Sequence, residues 1–393
     1  MSEKRKDIWK GDDGEGEEKP GKIRGFLSFL LMLAVVLLIV LFAAYRDGTG
    51  FDILRRYLHY GSAEKVGGEV LYRYDTAPKN RFAALGESLV VLSDSSLRLL
   101  DRNGNEVWSD QVTMSNPALS ACGGRAVAYD VGGTALYVLD QTGVLFELTA
   151  DEEEPYIAAT LNSDGWLAVT AVKKSGKGCV SVYNSAMTQT FAFTSRSRYV
   201  LDGCVLNNRL AAVTLGQENG VFLSSIGLYD LSKDAKEPEA SYNISGGLVA
   251  AIGEQEGRIV TVSDTCLTYA SSGGEVTANY AYQGEYLRDF DLGGDGFTVL
   301  LLNRYRSGSV GRLVTVDKTG EELGTLEVQE EILSLSASGR YLAVLYPNRL
   351  VVYNQDLQAY ATLRGTDTTR AVLMRPDGSV LLLSSDAASL FLP

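Results

Sequence analysis

The chain's stock of reactive side chains is one histidine, His59, four scattered cysteines, Cys122, Cys179, Cys204 and Cys266, and many carboxylates. A Ser-His-Asp or Cys-His mechanism needs an imidazole to take the nucleophile's proton. His59 lies ahead of the segments that read as a folded domain, so it reads as an interfacial residue, and a histidine-based metal site fails for the same reason. The cysteines include no C-x-x-C pair, which leaves zinc little support. Each sits in or beside an apolar, strand-like run. They read as small buried hydrophobes, with one disulfide as the alternative in an oxidising location. No Asp or Glu pair stands apart from a solvated surface as the two carboxylates of a glycosidase would. The expectation is a chain that is not an enzyme and carries no cofactor and no metal.

Charge is the second chemical feature. The chain carries a net −13, yet residues 1–25 hold seven basic and seven acidic side chains, so the acidic excess belongs to residues 26–393. Such a balance argues against nucleic acid, which needs a concentrated basic face, and against lying flat on an anionic membrane. Two short segments run against it: Lys173-Lys-Ser-Gly-Lys-Gly178 and Asn303-Arg-Tyr-Arg-Ser-Gly308.

Three regions position these residues. Residues 1–25 are polar, charged and Gly-rich, the composition of a disordered tail. Phe26 to Tyr45 is an uninterrupted apolar run without charge. At about 1.5 Å per residue it would span roughly 30 Å as a helix, the thickness of a bilayer's hydrocarbon core. A cleaved signal peptide is the rival, but its apolar region is usually shorter and Ala43-Ala44-Tyr45 fits cleavage poorly. The expectation is an integral membrane protein with one span. Basic residues flank the run on both sides; the seven before it favour a cytoplasmic N-terminus, with the large domain outside. Residues 46–67 form a juxtamembrane linker, within which Phe51, Leu54 and Leu58 share helical spacing.

From residue 68 to 393 the pattern is short runs of Val, Leu, Ile, Tyr and Thr broken by Gly, Asn and Asp, which is strand chemistry with tight turns. One corner recurs eight times, aligned on Gly86, Gly124, Gly165, Asn208, Gly257, Gly296, Gly339 and Gly378, at spacings of 38 to 49 residues. Tight hairpins favour Gly or Asn because the backbone turns through positive φ. A second turn comes about twenty residues after most of these corners, as at Asp101-Arg-Asn-Gly104 and Asp317-Lys-Thr-Gly320. Two hairpins per period make four strands, the content of a propeller blade. The sequence therefore predicts an all-β, eight-bladed β-propeller, with a seven-bladed ring or an irregular β-sandwich as alternatives. After the eighth corner only two strands remain, while an unmatched strand, Gly68 to Asp75, precedes the first blade. That strand is expected to complete the last blade and close the ring.

Corners such as Ser163-Asp-Gly-Trp166 and Pro376-Asp-Gly-Ser379 resemble those of WD40-like and TolB-like propellers, and Asp101-Arg-Asn-Gly-Asn-Glu-Val-Trp108 resembles the repeat of quinoprotein-type propellers. The layout of short tail, single span and propeller is similar to a group of uncharacterised envelope proteins of clostridia-type bacteria. These motifs specify fold and not chemistry. The recurring outer-strand tryptophans of quinoprotein dehydrogenases are absent, since only Trp108 and Trp166 lie in the ring, and Ser163-Asp-Gly-Trp166 has the wrong spacing for a sialidase-like Asp-box.

In a propeller the loop between strands two and three shares a face with the connections between blades. Three of these loops are long: 173–178, 216–220 and 303–308, in blades three, four and six. Long loops on one side of a rigid scaffold are where binding tends to sit. The expected binding face therefore carries Lys173, Lys174, Lys177, Arg304, Tyr305 and Arg306 and meets an anionic or protein partner, such as a protein or polymer of the envelope. Pairing of the lysines with Asp151-Glu-Glu-Glu154 on the same face is the alternative. The sequence thus reads as a non-enzymatic binding or scaffold module outside the cell membrane. A carboxylate enzyme acting on glycans and an envelope sensor with a short tail are the other readings.

Overall fold

The computed structural model describes residues 29–40, 67–233, 237–244 and 247–393. The chain divides into two units, Met1–His59 and Tyr60–Pro393. In the first, residues 29–40 form a helix whose large apolar side chains are exposed, among them Leu31 at 70% and Leu38 at 64%. Among the described residues no helix is long and apolar enough to cross a membrane. The remainder of the 26–45 run, the tail, the 51–60 segment and His59 lie outside the described residues.

The second unit is all β. Eight four-stranded antiparallel sheets succeed one another around a ring. Blade 1 shows the plan, with strands Arg81–Leu85, Ser88–Leu92, Ser96–Leu100 and Glu106–Gln111 laid side by side from the inside outward. Blades 2 to 7 repeat it over residues 117–149, 156–195, 199–244, 249–281, 286–328 and 334–364. Blade 8 takes three strands from the C-terminal end, Ala371–Met374, Val380–Leu383 and Ala387–Phe391, and its outermost strand, Gly67–Arg73, from the start. Gly67 pairs with Phe391 and Arg73 with Ala387, so the orphan strand closes the ring as expected. A closed ring leaves few strand edges free to recruit another chain.

Burial explains the strand sequences. Tyr341–Tyr346 is buried at every position and reads Tyr-Leu-Ala-Val-Leu-Tyr, because a middle strand is covered by a neighbouring blade on each side. The outer strand Gly143–Thr149 alternates between covered and exposed. The apolar core is correspondingly split into eight clusters, each straddling one blade-to-blade interface. The last joins Tyr72 and Leu381 of blade 8 to Leu89 and Leu100 of blade 1. Eight sheets with eight interfaces exclude both the seven-bladed ring and the sandwich.

All eight recurring corners fall between strands one and two of their blades. Gly86, Gly257 and Gly296 sit there at φ of 62°, 74° and 78°. In blade 4 the left-handed residue is Asn207, at φ 53°, and not the Asn208 used to align the repeat. Up-and-down strands place these turns, and those between strands three and four, on one face of the ring, the turn face. The loops between strands two and three and the connections between blades make the opposite loop face. Gly67 starts at the end paired with Phe391, on the turn face, so the chain enters the ring there.

Candidate functional site

The loop face is where the six sequence-selected residues lie, in two groups three blades apart. In blade 3 the lysines are largely spoken for. Lys173 is bonded to Glu154, and Lys174 is bonded to Glu153 and lies 3.7 Å from Asp151. The Lys173 hydrogen bond holds the Glu154 carboxyl below its ordinary range, and the Glu154 and Glu153 bonds hold the two ammonium groups above theirs. The acidic 151–154 segment therefore neutralises these two lysines. Lys177 takes another contact: its Nζ lies 4.8 Å from the centre of the Tyr199 ring and 3.4 Å from its hydroxyl. In blade 6 Arg304 is paired with Glu327 at 2.7 Å, Arg306 lies over the Tyr286 ring at 5.6 Å, and Tyr305 is 66% exposed.

The segment 216–220 is not a loop. Strands Arg209–Glu218 and Val221–Asp230 stay paired to their tips, with Glu218 opposite Val221, and form a hairpin that outruns its blade. The inner strand begins at Tyr199, opposite Leu215, and the outer strand pairs only as far as Ser224. Asn219 and Gly220 turn the tip at φ 51° and 83°, the two positive-φ residues of a type I′ hairpin. Arg198 braces the projection, donating to the Leu223 carbonyl at 2.6 Å, Ser225 Oγ at 3.0 Å and Thr214 Oγ1 at 3.2 Å. At the tip Val221 and Phe222 are 63% and 61% exposed, beside Tyr199 at 55%. Sequence reasoning missed this element, although the Asn219-Gly220 dipeptide between alternating residues was its signal.

Exposed apolar side chains divide the two faces. On the described ring, Val70, Val107, Leu145 and Val276 are exposed on outer strands. Every other exposed large apolar residue is on the loop face: Val131 and Val172, then Tyr199, Val221, Phe222 and Leu248, then Tyr286, Tyr305, Val310 and Leu333. At the turn-face end the described residues show Val276, which opens its outer strand there, with Val107 and Leu145 one and two residues further in. Solvent alone gives no reason for such an imbalance, whereas a binding face does.

The innermost strands carry carboxylates, and these are tied into the fold. Asp202 of blade 4 accepts from Thr160 Oγ1 of blade 3 at 3.1 Å and from the Gly203 amide at 2.7 Å. Asp291 of blade 6 accepts from the Ala337 amide of blade 7 at 3.0 Å and from the Gly293 amide at 2.6 Å. Burial pushes each carboxyl up to about 6 against the pull of these donors. Each carboxyl thus joins its blade to a neighbouring one. The four cysteines are free thiols, Cys204 and Cys266 buried and Cys122 and Cys179 half-buried. Among the described residues no group of three His, Cys, Asp or Glu side chains is placed to hold a metal ion.

These features define the class: an eight-bladed β-propeller with one apolar, partly basic face. The chain belongs to a family of unknown function, DUF5711, whose model matches residues 64–372. No curated protein matches it. Among solved structures, it is similar to the C-terminal WD40 domain of Sif2, with a TM-score of 0.60 and 15% identity over 84% of this chain and 99% of that one. BamB from Moraxella catarrhalis gives 0.53 and 13%, covering 84% and 97%. Apo AztD from Citrobacter koseri gives 0.50 and 9%, covering 73% and 85%. At these identities the likeness is one of fold, and at that level the WD40-like resemblance holds.

Proposed function

We propose that this chain is a non-enzymatic binding or scaffold module, anchored by the 26–45 run with its ring outside the cytoplasm, and that its loop face receives a protein partner. The observation that carries the reading is the imbalance of exposed apolar residues, ten at the loop face against Val276 at the turn-face end of the described ring. The chain enters the ring at the turn face, at the opposite end of the strands from the docking side. The inner carboxylates support the non-enzymatic part: Asp202 and Asp291 are engaged by amides and a threonine that tie neighbouring blades together. Anchoring rests on the uncharged run itself, as in the envelope proteins the layout resembles.

The test is site-specific photo-crosslinking in native membranes. A photoreactive residue at Phe222 or Tyr305 should capture a defined protein, and one at the turn-face residues Asp164 or Asp295 should not. Equal capture from both faces, or none from the loop face, overturns the reading. Release of the protein by alkaline carbonate washing would overturn the anchor alone.

A further inference from the structure

A cleft of about 440 Å³ opens on the loop face between blades 6 and 7. Its floor is apolar, made by Leu301 and Val328, both buried, with Ile332 beside them. Its walls carry two guanidinium groups, those of Arg288 and Arg306. Neither is ion-paired among the described residues. Arg306 lies over the Tyr286 ring, and Arg288 makes no hydrogen bond there, although its charge is felt by the adjoining Asp289. By contrast the nearby Arg304, Arg312 and Arg349 are paired with Glu327, Glu285 and Glu330. The loop that brings Arg306 here is built, not slack. The Arg304 amide donates to the Val310 carbonyl at 2.9 Å, and the buried Asn303 donates its side-chain amide to the Gly308 carbonyl at 2.8 Å.

Two guanidinium groups without ion-pair partners above an apolar floor match a carboxylate with an aliphatic side chain next to it. Arg presents a planar fork that takes a carboxylate through two parallel hydrogen bonds. The volume suits a few side chains and not a folded domain. A densely charged polyanion fits poorly, because Glu331 and the Arg349-paired Glu330 line the same cleft and the chain carries a net −13. Resting on the reading of the loop face as a protein-docking surface, we propose that this cleft is its specificity site and takes a short acidic peptide segment, an apolar residue followed by Asp or Glu.

The probe is a fluorescently labelled hexapeptide pool with a fixed central Leu-Glu, against the same pool with Leu-Gln, titrated by anisotropy into the purified full-length protein. The Leu-Glu pool should bind about tenfold tighter. The R288Q/R306Q variant should lose that preference, and R102Q, on the turn face of blade 1, should keep it. Both arginines are at the surface, so unchanged thermal unfolding of the variant confirms that it folds. The proposal is overturned by equal binding of the two pools, by no binding at millimolar peptide, by a preference that survives R288Q/R306Q, or by stronger displacement with polyphosphate than with Leu-Glu peptide. Crosslinking from Phe222 separates this inference from the one beneath it. Capture that persists without a peptide preference leaves the docking face standing and removes the cleft, whereas loss of all loop-face capture removes both.

Discussion

The guanidinium of Arg375 donates to the phenolic oxygen of Tyr72 at 2.7 Å, across 303 residues of sequence. The same Arg375 Nη2 donates to the carbonyl of Glu87 at 3.0 Å, and Tyr72 Oη donates to that carbonyl at 2.8 Å. Three parts of the chain therefore meet at one point: the closing strand, the last blade and the first blade. Arg375 is only 3% exposed and Tyr72 is fully buried, so water cannot replace these bonds. Tyr74 adds a second tie, donating to the Ala387 carbonyl at 2.7 Å and the Ser384 carbonyl at 3.0 Å.

Truncating the arginine should open this junction. R375A removes the donor fork and leaves a cavity with an under-bonded carbonyl, at a cost of about 2–4 kcal/mol. Y72F keeps the ring and loses only the hydroxyl, at about 1 kcal/mol. Urea unfolding measures both, and hydrogen exchange should show faster opening of Leu71 to Arg73 in the closing strand than of blade 4.

A glycine on the neighbouring hairpin tests the same closure from the other side. Gly104 sits at φ +81°, and a Cβ there would lie 2.3 Å from the Leu71 carbonyl oxygen, on the closing strand's backbone. Gly257 has a similar φ, +74°, with nothing within 4 Å of the Cβ position. G257A should therefore cost only the left-handed backbone penalty, about 1 kcal/mol. G104A should cost at least about 1 kcal/mol more, because backbone must move. Equal losses in thermal or urea unfolding would show that the closing strand is not seated against this turn.

The thiols give a direct test of the disulfide alternative. Alkylating the denatured protein without reductant should label all four cysteines, read as the mass increase. In the native protein Cys204 should stay unlabelled, since it is 1% exposed and burial raises its thiol far above the ordinary range. Two protected cysteines in the denatured sample would mean a bond.

The ring was legible in the sequence because its signal is local and repeated. Each corner needs a positive φ, and Gly or Asn marks it at every blade. The closing strand was legible by subtraction, since blade 8 lacked one. Arg375 was not legible: it comes just after the strand Ala371–Met374, in an ordinary Pro-Asp-Gly corner, and its burial depends on a partner at the far end of the chain. The candidate site was read in part. Loop lengths placed 173–178 and 303–308 on one face, as they are, and the acidic 151–154 segment was seen as a competitor for Lys173 and Lys174, which it is. The Phe222 hairpin was missed because strand register decides whether 216–220 is loop or ladder. Arg288 was missed because a cleft between blades exists only after packing.

The inner carboxylates predict how stability changes with pH. Burial raises Asp202 and Asp291 from the ordinary 3.8 to about 6 in the folded ring. Between pH 4 and 6 the unfolded chain has already released these protons while the folded one still holds them. The folded state binds more protons there, so stability falls as pH rises through that window and levels off above it. Both side chains retain some solvent access, which discounts the effect to about 1 kcal/mol for each group. D202N cannot ionise and keeps one oxygen for the Thr160 and Gly203 donors, which share Oδ1, whereas D291N also removes one of the two oxygens that accept separately from the Gly293 and Ala337 amides. Each should flatten part of the decline in urea midpoint between pH 4 and 6; D202N should be at least as stable as the parent at pH 7, and D291N should lose about 1–3 kcal/mol at every pH through the amide left without an acceptor. A decline of the same depth in the double variant would assign it to other groups. A large loss of stability at pH 7 in D202N would mean that the ionised carboxylate, not merely an acceptor, holds the neighbouring blade.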